Sequence, residues 1–144
     1  MIPTLYDTDF YAWTLRQAEL LKHEDFAEID LQNLIEEIEG MARSDRRALE
    51  NRLRVLLVHL LKLSCMPDSN PSRGWRATAT EQRMRIGRIL SQNPSMTTLL
   101  PGAMSDVYAE ARIKAGGEPE MANADFPVHC PWTPDQILNL EWLP

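Results

Sequence analysis

Apolar residues along this chain recur at intervals of three and four, and no stretch keeps the alternation of two that a half-buried strand requires. The segment "DFYAWTLRQAELLK" puts Phe10, Trp13, Leu20 and Leu21 on one side of a helix, with Asp7 or Thr8 available to cap it. "HEDFAEI" then turns the chain. Asp30 caps a second predicted helix, in which Leu31, Leu34, Ile35, Ile38 and Met41 share one stripe. Gly40 and Ser44 weaken that helix, so the pattern predicts a break near residue 42 and a third helix capped by Ser44.

The third predicted helix is the most apolar of the set. Leu49, Leu53, Leu56, Leu60 and Leu63 alternate steps of four and three, the seam of a helix packed along others. Val55, Leu57, Val58 and Leu61 extend apolar cover over most of the remaining surface, which places this helix in the middle of a bundle. Pro67 and Pro71 end it in the loop "MPDSNPSRG". Ser72 caps a fourth helix whose Trp75, Ala79, Ile86, Ile89 and Leu90 face inward. "NPS" stops that helix and restarts a short turn, which Pro101-Gly102 stops again. A fifth helix runs roughly from Ala103 to Ala115 and ends at Gly116-Gly117. Thr133 and Pro134 read as the N-cap and first residue of one short helix. The predicted fold class is all-α. Residues 1–144 form one domain, a bundle of about five or six helices round the third. A proline- and tryptophan-rich tail, 119–144, docks on it.

Composition narrows the class without changing the fold. A chain of 144 residues, 44% hydrophobic and 25% charged, is about one globular domain and not a disordered segment. "MIPTLYDTDF" has no basic stretch followed by an apolar core, and His59 and Lys62 interrupt the longest apolar run. Neither an export signal nor a membrane span is expected. Two cysteines, Cys65 and Cys130, are too few for a disulfide framework and read as reduced thiols of a cytoplasmic protein.

Charge changes the picture more. The net of −6 combines an acidic start, a basic middle and an acidic end. Residues 1–40 carry ten acids against Arg16 and Lys22, while residues 41–90 carry eleven bases against four acids. Such a middle is either a nucleic-acid surface or a patch that the acidic ends cover within one molecule. The second reading leads, because nucleic-acid modules usually carry positive charge over the whole domain.

The stretches "YDTDFYAW", "DLQNLIEEIEGM", "LRVLLVHLLKL", "SRGWRATATEQR", "NPS", "YAEAR" and "CPWTPDQIL" follow one another over nearly the whole chain. In this order they resemble the bacterial family of domain of unknown function twenty-nine. The resemblance implies an all-helical fold and no activity.

Candidate chemistry centres on His59 and Lys62, a narrow polar wedge on the apolar helix, with Arg52 beside them. Glu36, Glu37 and Glu39 lie one predicted helix earlier. If those helices pack antiparallel, a carboxylate meets the wedge and forms a polar pocket, read first as a satisfied structural network. Glu36 and Glu39 have the i, i+3 spacing of a bundle metal site but no histidine. Cys65, His59, His129 and Cys130 lack zinc-ligand spacing, so neither metal nor cofactor is expected. The cysteines sit in no nucleophile signature with His23, His59 or His129, and no glycine-rich loop precedes a helix. Trp75 with Arg76, Arg83, Arg85 and Arg88 forms a candidate surface for nucleic acid or phosphate. Trp132 and Trp142 are candidate anchors for a partner, or plugs on the bundle. The leading expectation is a non-enzymatic interaction or regulatory module whose partner is protein, a second copy or another chain. A nucleic-acid or nucleotide binder comes second, and an enzyme using Glu37, His59 and Lys62 third. No membrane partner is expected.

Overall fold

Residues 2–144 are described by a computed structural model. Among them are six α-helices and no strand, so the all-α class holds. The chain divides into two compact units, the first ending at Ser44 and the second running Asp45–Pro144.

In the first unit, helix starts are set by short polar side chains. Thr4 precedes α1 (Leu5–Thr8), and its N–H and hydroxyl both donate to the Asp7 carboxylate, at 3.3 and 2.8 Å. Asp9 caps α2 (Phe10–Lys22) by accepting the Ala12 N–H at 3.0 Å, in place of the predicted Asp7 or Thr8. The far end of α2 closes in a Schellman turn. The Asp25 N–H donates to the Leu20 carbonyl, the Glu24 N–H donates to that of Leu21, and Glu24 itself sits at φ 56°. Next comes α3 (Leu31–Cys65). The Trp13 indole N–H donates to Asp30 at 3.0 Å, and the Tyr6 hydroxyl donates to Glu37. Tyr6 lies in α1 and Trp13 in α2, so numbering rises from Tyr6 to Trp13 as it falls from Glu37 to Asp30, and this stretch runs antiparallel to the start of α3.

The predicted break near residue 42 is absent, because α3 runs unbroken for 35 residues through Gly40 and Ser44. A mid-helix glycine costs only about 1 kcal/mol relative to alanine. Arg43 reaches Glu36 at 2.8 Å and Glu39 at 3.9 Å, while Arg46 reaches Glu50 at 3.1 Å. Such pairs return a few tenths of a kcal/mol each. With no proline in the segment, nothing forces a turn. The second and third predicted helices are one element, so they do not pack antiparallel against each other.

In the second unit the leucine seam is the core. Leu49, Leu53, Leu56, Leu57 and Leu60 are fully buried, and Leu61 and Leu63 nearly so. Round it lie α4 (Ser72–Gln92), a 3₁₀ turn (Pro94–Leu99), α5 (Leu100–Gly116), a second 3₁₀ turn (Pro119–Met121) and α6 (Pro134–Leu138). Ser72 is the first residue of α4 rather than its cap, and its hydroxyl donates to the Ser69 carbonyl at 2.7 Å. The first 3₁₀ turn ends at Leu99, just before Pro101 and Gly102. They open α5, where a missing N–H costs nothing. The Thr133 cap and Pro134 start of α6 stand as predicted, with Gln136 and Thr133 exchanging bonds at 3.2 and 3.0 Å.

The tail is fastened to the second unit at several points. Arg83 Nε donates to the Ile137 carbonyl at 2.6 Å, the Tyr108 hydroxyl to that of Pro127 at 2.7 Å, and Arg112 Nε to that of Phe126 at 3.1 Å. Trp132 and Trp142 meet edge to face at 5.8 Å and pack, partly buried, against the core.

Candidate functional site

The apolar seam of α3 carries Lys62 inward because the residue lies between seam positions, one turn from His59. Its side chain is only 8% exposed. Nζ lies 3.6 Å from Glu118, 3.9 Å from Glu120 and 4.7 Å from the Trp75 ring centre. A buried ammonium demands such partners. Two carboxylates and an aromatic face supply them. The polar pocket therefore takes its acids from the turn after α5, not from Glu36, Glu37 and Glu39. In the first unit, Glu36 and Glu39 pair with Arg43, and Glu37 accepts from Tyr6. That bond with Glu37 is the largest of the effects that push the Tyr6 hydroxyl up to about 12.

His59 Nδ1 lies 2.8 Å from the Val55 carbonyl. A carbonyl only accepts, so Nδ1 carries the proton and Nε2 the lone pair of the neutral ring. Burial is the main cause that lowers its pKa, opposed by the Val55 carbonyl and assisted by Lys62. His59 thus bonds back to its own helix, while Lys62, one turn on, pairs with the carboxylates of Glu118 and Glu120.

The basic residues of α4 have diverse fates. Trp75 is buried beneath Lys62. Arg76 Nη2 donates to the Pro67 carbonyl at 2.5 Å, Arg85 grips Glu81 at 2.8 and 3.0 Å, and Arg83 is buried as the strap on α6. Arg85, Arg88 and Met84 help line a shallow groove of about 450 Å³. Another cavity, of about 460 Å³, opens among Tyr108, His129, Cys130 and Trp132. Burial raises the Cys130 thiol pKa, so it stays protonated and a poor nucleophile. Among the described residues no three His, Cys, Asp or Glu side chains converge to hold a metal ion, and no helix is long and apolar enough to cross a membrane.

The most unusual surface lies in the first unit, along the apolar stripe that the sequence pattern predicts. Leu31, Ile35, Ile38 and Met41 are 58, 46, 63 and 64% exposed. At about 100° per residue they share one side of α3. Trp13 sets the inward side of α2. Phe10 and Leu21 flank it on the shoulder that antiparallel packing brings to the side of the α3 stripe. They too are exposed, at 48 and 44%. Among the described residues, only Trp13 of the 23 buried hydrophobics belongs to the first unit, yet eleven of the sixteen exposed large hydrophobics do. The helical period found the stripe, but it carries no signal for what covers it.

No curated protein and no solved structure matches this chain. The family model for the domain of unknown function DUF29 matches residues 5–143, and since that is nearly the whole length, the chain belongs to this family.

Proposed function

We propose that this protein is an interaction module: the second unit is a stable helical anchor, and the antiparallel helices of the first present the contact face. One observation carries the reading. Among its described residues the first unit buries a single hydrophobic one and exposes eleven large ones, six of them on one side. Contiguous apolar faces of that kind mark contact surfaces on soluble proteins. The setting proposed for it is the bacterial cytoplasm, where Cys65, exposed, and Cys130 stay thiols as they are here. Nucleic-acid binding through α4 draws less support, because Trp75, Arg76, Arg83 and Arg85 already serve bonds within the second unit. Catalysis draws less still, with Lys62 paired to two carboxylates and His59 Nδ1 bonded to the Val55 carbonyl.

Native mass spectrometry tests the reading on untagged protein taken rapidly from the cells that make it. A protein complex heavier than the 16.5 kDa chain is expected, and it should be lost in an Ile35→Asp, Ile38→Asp variant whose far-ultraviolet circular dichroism is unchanged. A bare chain mass, or a complex indifferent to those substitutions, would refute it.

A further inference from the structure

Resting on that reading, we infer that the partner of the exposed face is a second copy of this chain, joined stripe to stripe into a four-helix contact. The observation is the apolar face formed by Phe10 and Leu21 on α2 with Leu31, Ile35, Ile38 and Met41 on α3, each 44 to 64% exposed. Three physical points select the occupant.

The first is area. Side chains of this size present on the order of 100 Å² apiece at such exposure, so the six supply about 600 Å² of apolar surface. A polar rim raises that toward the roughly 800 Å² per partner of a standard stable interface. A monomer's largest patch is usually about 300–600 Å². The face stands at the top of that range and, with its rim, approaches one half of a symmetric dimer, in which a two-fold contact uses the same patch on both partners.

The second is kind. An apolar face needs an apolar cover, and the second unit offers none of comparable extent. Its exposed large hydrophobics are Met84, Ile113, Val128, Leu140 and Leu143, scattered over α4, α5 and the tail. The surface best able to cover this stripe is therefore the stripe itself. Two antiparallel helices that bury one tryptophan between them also lack a core of their own. Pairing with their like completes one, as in four-helix bundles.

The third is charge. The first unit carries ten acids against Arg16, Lys22 and Arg43, so like charges face each other when two copies meet. They do not lie on the stripe. Glu36 projects from the opposite side of α3 beside Arg43, and Glu37 is held by Tyr6. Repulsion is confined to the rim, where salt screens it. Self-pairing of this kind tightens as salt is added, whereas binding of a basic protein or a nucleic acid loosens.

Sedimentation velocity on the purified full chain, from about 1 to 100 μM and at about 50 and 500 mM sodium chloride, decides the matter. The mass is expected to pass from 16.5 kDa to twice that, with a tighter midpoint at high salt. Ile35→Asp and Ile38→Asp should each weaken pairing about 100-fold or more, while Leu140→Asp leaves it unchanged. These positions are exposed, so circular dichroism should stay that of the parent. A monomer throughout the range, or a dimer untouched by the stripe variants, overturns the inference. If the pure protein is a monomer but the native complex still depends on Ile35 and Ile38, self-pairing falls and the interaction module stands. If no stripe-dependent complex forms in either setting, both fall.

Discussion

The two halves of α3 carry the same pattern of large aliphatic residues at intervals of three and four, with opposite burial, and that contrast yields a sharp stability test. Consider Leu60→Ala in the second unit against Ile38→Ala in the first. Leu60 is fully buried and Ile38 is 63% exposed. Each substitution removes three carbons, worth about 2.4 kcal/mol if fully buried at about 0.8 per group. At Leu60 the whole of that is lost. A partly relaxed cavity of on the order of 50 Å³ adds about 1 kcal/mol, for a total near 3 to 4. At Ile38 only the buried third or so is lost, about 0.9 kcal/mol, and no cavity forms. Alanine's better helix propensity returns about 0.4, leaving roughly 0.5. The expected gap is therefore about 3 kcal/mol.

Guanidinium unfolding at about 1 μM, below the expected pairing range, measures it. Tryptophan fluorescence reports chiefly on the second unit, which holds Trp75, Trp132 and Trp142, while circular dichroism reports on both. Equal costs at the two positions would refute the reasoning, since they would mean that the stripe is as buried as the seam. So would a cost below about 1 kcal/mol at Leu60. Repeating the Ile38→Ala measurement at about 100 μM should enlarge its cost, because a dimer that forms only from folded chains adds stability by mass action. Leu60→Ala should show no such growth.

Three further outcomes follow from local geometry. Lys62→Met keeps the aliphatic stem against Trp75 but leaves Glu118 and Glu120 without their cation; both are about a third exposed and partly solvated, so the loss should be about 1–2 kcal/mol, read as a lower thermal midpoint. His59, its pKa depressed mainly by burial and further by Lys62 and Lys114, against the Val55 carbonyl and Glu118, binds its proton less readily folded than unfolded. Its contribution to stability is therefore complete above the unfolded pKa near 6.5 and declines as pH falls toward the folded value; His59→Leu should fold normally and flatten that decline, and equal pH slopes for variant and parent in denaturant titrations at about pH 7.5 and 5 would count against it. Glu24 closes the Schellman turn of α2 at φ 56°, where a side chain costs about 1–2 kcal/mol. Glu24→Gly removes that strain at about 0.5–1 kcal/mol of added chain entropy, so a net gain of about 0.5 kcal/mol is expected, and a destabilised variant in the same titration would contradict the assignment.

What was legible in the sequence, and what was not, divides along one physical line. The period of three and four is a local property, and it identified the buried seam of Leu49 to Leu63 residue by residue. Capping chemistry is local too, and the Thr133-Pro134 start of α6 was readable for that reason. Long-range choices were not. Lys62 plainly required an acid, but its partners, Glu118 and Glu120, lie more than fifty residues on, past two helices. Nothing local distinguishes them from Glu36, Glu37 and Glu39. Tyr108, Arg83 and Arg112 bond to tail carbonyls, and a carbonyl leaves no mark on residue identity. The stripe of Leu31 to Met41 is the most instructive case. Its spacing is as regular as the seam's, but regular spacing records only that one side of a helix is apolar. Whether that side becomes core or surface depends on what comes to cover it. Here a helix extends unbroken through a glycine that was expected to end it, and its two halves take opposite fates. Regular spacing therefore fixes which side of a helix is apolar, and burial is decided by contacts that the spacing does not encode.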